Sequence, residues 1–128
     1  MKGRILLIED NDQNARLAAK VLRHDGHMVT IALSAEMGIL DALANPPDLI
    51  LVDLGLPDMD GQTVSSLLKQ QLPSVILVAF TAWPRDTVLP MIEAYGFDGV
   101  ISKPVDGFTL RKEVNRFLAE THREEQLS

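Results

Sequence analysis

Short apolar runs alternate along the chain with segments in which apolar residues recur at helical spacing. The apolar runs predict five strands, at residues 4–8, 27–33, 48–53, 75–80 and 99–102. The helical spacing predicts five helices, at residues 13–24, 35–43, 61–71, 86–95 and 106 to about 120. Since the strands are apolar throughout rather than alternating, both of their faces are expected to be buried. This order predicts an α/β fold in which a parallel sheet carries helices on both faces.

Polar and small residues at the ends of these segments support the same boundaries. Asp12 and Ser34 are predicted N-caps, because their side chains can accept free backbone N–H groups of a first helical turn. Gly26 and Gly96 are predicted to end the first and fourth helices. Pro90 is predicted to lie in or near the first turn of the fourth helix, where proline is tolerated.

The composition narrows the class of protein. A chain of 128 residues without cysteine fits one domain that has no disulfide and no thiolate metal site. Its net charge of −6 argues against non-specific nucleic-acid binding, which needs clustered lysine and arginine. No apolar stretch suits a signal peptide or a membrane span, so we expect a cytoplasmic protein that binds neither DNA nor membranes. The histidines show no ligand spacing and are interpreted as surface residues: His24, His27 and His122.

Five candidate functional residues stand at the carboxyl ends of four predicted strands: Glu9, Asp10, Asp53, Thr81 and Lys103. In a parallel sheet these ends share one edge, where ligands bind at the switch point of the strand order. Three carboxylates in one pocket would repel one another unless a cation joined them, and Mg²⁺ prefers such oxygen ligands. An aspartate beside that ion can act as a nucleophile on phosphorus. Lys103 and Thr81 would then contact the other phosphoryl oxygens.

Each of these residues also has a plainer interpretation when it is taken alone. Glu9 and Asp10 could belong to a solvated turn before a helix, and Lys103 could be a surface lysine. Asp58 and Asp60 are interpreted as turn and helix-cap residues rather than as metal ligands. The functional interpretation therefore depends on finding the acids, Thr81 and Lys103 together at the ends of the predicted strands.

The combination resembles the response-regulator receiver domain over essentially the whole chain. The matching stretches are ILLIEDN at 5–11, LVDLGLPDMDG at 51–61, FTA at 80–82 and SKP at 102–104. Each fragment is weak alone, whereas their order and spacing together are highly specific. The resemblance implies a flavodoxin-like (βα)5 fold with the strand order 2-1-3-4-5.

The resemblance also implies roles for single residues. Asp53 would accept a phosphoryl group from a histidine kinase or a histidine phosphotransfer protein. Glu9, Asp10, Asp53 and the backbone carbonyl of Gly55 would hold Mg²⁺. Thr81 would be the switch hydroxyl and Lys103 the phosphate-contacting lysine, followed by a cis bond to Pro104. Such a protein is a phosphoacceptor in signal transduction or a phosphorelay and not a turnover enzyme.

The expected organisation is a stand-alone receiver domain at residues 1–120 with a polar tail at 121–128. Its output would be onward phosphotransfer or contact with a downstream protein, and phosphorylation-dependent dimerisation stays open. The usual output face of the family would here include Met91, Tyr95, Val100 and Phe108. Receivers usually carry tyrosine or phenylalanine where Val100 stands, and because valine has no ring to swing, we do not expect the usual coupling of threonine to an aromatic ring.

Two further points stay open at the level of sequence. Trp83 stands two residues after Thr81, and we hypothesise that it shields the site from water, although it could equally be a packing or interface residue. The chain could also be a pseudo-receiver that binds partners without phosphorylation. An aspartate-nucleophile phosphatase is disfavoured because Gly55 stands where its second aspartate would be. A flavodoxin-type cofactor binder is disfavoured by the acids of the first loop.

Overall fold

A computed structural model describes the backbone of residues 2–127 and the side chains of residues 2–120. Five strands alternate with five helices in this order: β1 (Arg4–Ile8), α1 (Asp12–His24), β2 (Met28–Ala32), α2 (Ala35–Ala44), β3 (Leu49–Val52), α3 (Gly61–Gln71), β4 (Ile76–Thr81), α4 (Arg85–Tyr95), β5 (Gly99–Ser102) and α5 (Gly107–Leu127). All strand pairs are parallel, and the sheet order is β2-β1-β3-β4-β5. The predicted fold class and strand order are confirmed.

The core lies on both faces of the sheet. Every residue of β3 and β4 is buried, as the absence of alternation predicted. Leu7 and Leu51 belong to a cluster with residues of α1 and α5, whereas Ile50 and Val52 belong to a cluster with residues of α2, α3 and α4. Full burial of such a side chain contributes about 1.5–3 kcal/mol, so β3 and β4 are held firmly from both sides. The edge strand β2 alternates instead, with Met28 65% exposed, so the prediction that both faces are buried was wrong for this strand.

The first two helix starts show where capping was predicted well and where it was not. Ser34 is the N-cap of α2, and its hydroxyl accepts the Met37 N–H at 3.2 Å. The N-cap of α1 is Asn11, which accepts the Asn14 N–H at 2.9 Å, so the prediction of Asp12 was wrong. Asp12 is already helical and pairs with Arg16 at 2.7 Å. The two neighbouring side chains have similar capping ability, and sequence alone does not separate them.

The last two helices differ from their predicted bounds. Helix α4 begins at Arg85, one residue before the predicted start, and Pro90 lies inside it just after the first turn. Gly96 ends α4 with φ of +78°, a conformation that glycine adopts without strain. Helix α5 continues past Glu120 to Leu127, and the division at 120/121 remains a prediction. Among the helices described, none is long and apolar enough to cross a membrane.

Two aspartates of the loop after β3 cap helices, in agreement with their interpretation as turn and cap residues. Asp60 caps α3 and accepts the Thr63 N–H at 2.8 Å. Asp58 accepts the backbone N–H groups of Glu36 and Ala35, at 3.0 and 3.1 Å. These two hydrogen bonds lower the pKa of Asp58. Asp58 therefore ties the loop that follows Asp53 to the start of α2, the helix before it in sequence.

His27 is buried, so its interpretation as a surface residue was wrong. It lies at the amino-terminal end of the sheet, where its Nδ1 accepts the Gly3 N–H at 3.0 Å and its Nε2 lies 3.1 Å from Asn115 Oδ1. The Gly3 contact places the single imidazole proton on Nε2, which donates to Asn115. His24 is exposed as predicted, and the side chain of His122 lies outside the described residues.

This histidine predicts a specific dependence of stability on pH. Burial lowers the pKa of His27 from its ordinary value of 6.5, helped by the charge of Lys2 and opposed by Asp25 and by the Asn115 hydrogen bond. As the pH falls below 6.5, the unfolded chain takes up a proton that the folded chain resists, so the free energy of unfolding decreases. Urea unfolding across this range should show a shallower pH dependence for His27→Gln. The exposed control His24→Gln should follow the wild type, and parallel curves for wild type and His27→Gln would contradict the prediction.

The Asp58 cap predicts a local effect at α2. In Asp58→Ala the Ala35 and Glu36 amides lose their acceptor, so their hydrogen exchange should become faster. The matched control is Asp60→Ala, which should speed exchange at Thr63 of α3 and leave the α2 amides unchanged. Equal protection of Ala35 and Glu36 in Asp58→Ala and wild type would show that the cap does not hold this helix.

Candidate functional site

The backbone ladder extends one residue past several strands, and this positions the site. The Asp53 N–H donates to Ile8 C=O at 3.0 Å, so the residue after β3 is fixed against β1. In the same way, the Lys103 N–H donates to Thr81 C=O at 2.8 Å and the Glu9 N–H donates to Ala32 C=O at 3.0 Å. These bonds hold the site residues at one edge of the sheet, where the parallel order predicts them.

Three carboxylates converge at this edge. One carboxylate oxygen from each of Glu9, Asp10 and Asp53 lies within 4.8 Å of the others. The Glu9 side chain is only 3% exposed and that of Asp53 is 15% exposed, whereas Asp10 is exposed. Buried carboxylates need partners, because an unpaired buried charge is costly. One such partner is the Asn11 N–H, which donates to Glu9 Oε1 at 3.1 Å.

Lys103 is the cation of the cluster. Its Nζ lies 2.7 Å from Glu9 Oε2 and 3.6 Å from Asp53 Oδ2. The same ammonium lies 5.1 Å from the centroid of the Phe80 ring, a cation–π distance. Phe80 was not singled out from the sequence, although it immediately precedes Thr81 and pairs with Ile101 of β5. One lysine against three carboxylates leaves two negative charges in the pocket.

Thr81 and Trp83 lie at the carboxyl end of β4. Thr81 is the last residue of β4 and is fully buried, and its Oγ1 accepts the Trp83 N–H at 3.1 Å. Because that oxygen accepts, its own O–H remains available to donate. The position that a Cβ would occupy on Gly55 is 3.7 Å from Asp53 Oδ1 and 3.7 Å from Trp83 Nε1. The indole and the Asp53 carboxylate therefore both border Gly55, and Trp83 is 40% exposed.

Two backbone features complete the surroundings of Asp53 and Lys103. The Gly55 N–H donates to Asp53 Oδ1 at 3.1 Å, which fixes the orientation of that carboxylate. The Lys103–Pro104 peptide bond is cis, as the resemblance implied. Val100 pairs with Ala79 in the sheet and packs with Met91 and Tyr95 against the core on the α4 side.

The output residues differ in how far solvent reaches them. Val100, Met91 and Tyr95 are half-buried, whereas Phe108 is 69% exposed. Most of the predicted face is therefore committed to packing, and Phe108 is its protruding member.

The donor set favours a hard divalent cation. Carboxylates are acceptors with negative charge, and the two charges that Lys103 leaves unbalanced match those of one such ion. No thiolate is available in a chain without cysteine, and no imidazole is part of the described cluster. This chemistry suits Mg²⁺ better than zinc or copper.

Comparison with known proteins agrees with this geometry. The family described as response regulator receiver domain matches residues 5–115. The chain is 38% identical over 104 residues to the sensor protein TorS of Escherichia coli, with 80% of this chain and 11% of that protein covered. It is 32% identical over 126 residues to the transcriptional regulatory protein KdpE of Staphylococcus aureus, with 97% of this chain and 54% of that protein covered.

A solved structure extends the comparison to the fold. The CheY-like response regulator receiver domain protein of Methanospirillum hungatei superposes with a TM-score of 0.86 at 26% identity, covering 97% of this chain and 99% of that one. The two curated relatives are longer than the matched region, so the chain spans only part of each. The family match, the sheet order and the clustered acids agree, and the chain belongs to the response regulator receiver domain family of two-component signalling.

Proposed function

We propose that Asp53 accepts a phosphoryl group in a Mg²⁺-dependent reaction, with a histidine kinase or a histidine phosphotransfer protein as the donor. The observation that carries this proposal is the convergence of Glu9, Asp10 and Asp53 beside the Lys103 ammonium. A solvated turn would not need a buried glutamate, and an ordinary surface lysine would not be held by two carboxylates.

The residues that would hold Mg²⁺ are Glu9, Asp10, Asp53 and the Gly55 backbone carbonyl. The excess of two negative charges supports this assignment. When bound, the ion would neutralise charge on a phosphoryl oxygen. The protein's own contribution is to fix the carboxylates, and the Gly55 N–H fixes Asp53 by binding Oδ1.

The proposed transfer forms one bond and breaks one. An Asp53 carboxylate oxygen attacks phosphorus, and the phosphorus–nitrogen bond of the donor phosphohistidine breaks. The bonding electron pair leaves with the imidazole nitrogen, so Asp53 becomes an acyl phosphate. Positioning and charge stabilisation are the main requirements of such a transfer.

Lys103 and Thr81 would stabilise the phosphoryl oxygens. Lys103 already lies 3.6 Å from Asp53 Oδ2, and its bond to Glu9 directs it into the pocket. The Thr81 hydroxyl, which accepts from Trp83, would donate to a second phosphoryl oxygen. Movement of Thr81 toward the phosphoryl group would shift β4 and the loop that carries Trp83. Since Val100 has no ring to swing, we propose that output to a downstream protein follows these backbone and loop shifts.

Phosphorylation by a small donor tests this proposal directly. Wild type incubated with acetyl phosphate and Mg²⁺ should gain one phosphoryl group by intact mass, because Asp53 can displace acetate as it displaces imidazole. Asp53→Asn should gain none. The fluorescence of Trp83, the single tryptophan, should change with the same time course as the gain in mass.

Two acids that are close in sequence, Asp10 and Asp12, provide a matched test of the proposed Mg²⁺ dependence. Asp10→Asn should greatly reduce the Mg²⁺-dependent rate, whereas Asp12→Asn should not, because Asp12 pairs with Arg16 outside the cluster. Absence of modification in the wild type with every donor tried would instead favour the pseudo-receiver. Modification that persists in Asp53→Asn would place the acceptor elsewhere.

The position of Trp83 beside Gly55 predicts that this side chain affects how long the phosphoryl group survives on Asp53. We expect Trp83→Ala to dephosphorylate several-fold faster, because the indole limits the approach of water across Gly55. Loss of the phosphoryl group would be followed by mass after removal of the donor. Phe108→Ala is the control, since it removes another exposed aromatic ring outside the pocket. Equal rates for Trp83→Ala and wild type would refute the shielding role.

A further inference from the structure

Helix α2 has an unusual distribution of side chains. Its buried face consists of small residues, Ala35, Gly38 and Ala42. A Cβ added to Gly38 would lie 2.4 Å from Ile8 Cδ1, so the helix backbone lies very close to the sheet. Of its large apolar side chains, Ile39 packs against the core and the other three are exposed, whereas an ordinary amphipathic surface helix buries most of them.

The outward-facing residues form what we term the α2 face: Met37, Leu40 and Leu43, which are 55%, 57% and 43% exposed. Among the side chains described, no other helix exposes as many large apolar residues. Met37, Leu40 and the exposed Ala44 follow the i, i+3, i+7 spacing that lines one side of a helix. This spacing suits a partner helix lying along α2.

The charges around the α2 face have one sign. Glu36 precedes Met37 in the first turn of α2, Asp41 follows Leu40, and Asp58 lies at the start of the helix. Within the described part of the chain, none of the three forms an ion pair. Helix α2 itself contains no lysine or arginine, and the groove beside Asp41 is lined by one basic residue, Arg4.

We propose that the α2 face binds an amphipathic helix of another protein, with apolar residues along its centre and basic residues on its flanks. The apolar stripe would supply the buried contact, and the acidic rim would supply orientation and specificity. A second copy of this chain is disfavoured, because its own α2 would bring like charges together. An anionic membrane surface is disfavoured for the same reason.

A synthetic peptide tests this surface without the natural partner. The probe is a labelled helical peptide with leucine at i, i+3, i+4 and i+7 and lysine on both flanks. A peptide of identical composition with its leucines distributed around the helix is the control for non-specific charge attraction. Fluorescence anisotropy would measure binding to the unphosphorylated chain, so the result is independent of the function proposed for Asp53.

The variants separate the α2 face from other exposed apolar residues. Leu40→Gln should weaken binding about tenfold or more. The control Leu89→Gln should not change it, because Leu89 is exposed as well, at 43%, but lies on α4. Replacing Glu36 by Gln and Asp41 by Asn together should reduce the affinity and its dependence on salt. Thermal unfolding would verify that each variant is folded.

Three results would overturn the proposal. The first is no saturable binding, and the second is equal binding of the two peptides. The third is an equal effect of Leu40→Gln and Leu89→Gln. Sedimentation would add a further test, since a dimer that Leu40→Gln dissociates would assign the α2 face to a second copy of this chain instead.

Discussion

The ion pair between Lys103 and Glu9 is the interaction on which the site depends. It joins the residue after β5 to the residue after β1, across the two strands that lie between them in the sheet. Without the ammonium, a nearly buried glutamate would stand beside two further carboxylates with no cation. With it, the pocket is held together and still carries two uncompensated negative charges, which favours occupation by a divalent ion.

The sheet makes this arrangement rigid. Hydrogen bonds from Asp53, Glu9 and Lys103 to neighbouring strands extend the ladder past the strand ends. The central strands β3 and β4 are buried on both faces, so the carboxylates and the ammonium stand on a fixed base. The loop after β3 reaches α2 through Asp58, and the loop after β4 carries Trp83. Under the proposed function, a change at Asp53 would reach the surface through these two loops without an aromatic ring at Val100.

Much of this fold could be predicted because its signals are local or repeated. Fully apolar strands that alternate with helical spacing specify a parallel sheet, and chemically distinct residues at the strand ends specify the pocket. Cap positions were less certain, because Asn11 and Asp12 can both cap and only the packed turn decides between them. The start of α4 was predicted one residue late, because its N-cap, Pro84, supplies no capping side chain to mark it.

The remaining errors and omissions concern contacts between residues distant in sequence. The residues near His27 in the sequence do not indicate that it is buried against Asn115, which is 88 residues away. The partners of Asp58 and the position of Phe80 under Lys103 depend in the same way on packing between elements. The outward-facing leucines of α2 resemble a core stripe in the sequence, and only the tight approach of Gly38 to Ile8 shows which face is inside.

Thermal unfolding of wild type and Asp53→Asn, with and without Mg²⁺, tests whether the pocket carries two unbalanced negative charges. Without Mg²⁺, Asp53→Asn should unfold at the higher temperature, because one of three repelling carboxylates is gone. Mg²⁺ at about a hundred times its dissociation constant should stabilise the wild type by about 2.7 kcal/mol and the variant by much less. An Asp53→Asn variant that is no more stable than wild type without Mg²⁺, and that gains as much from the ion, would contradict the claim.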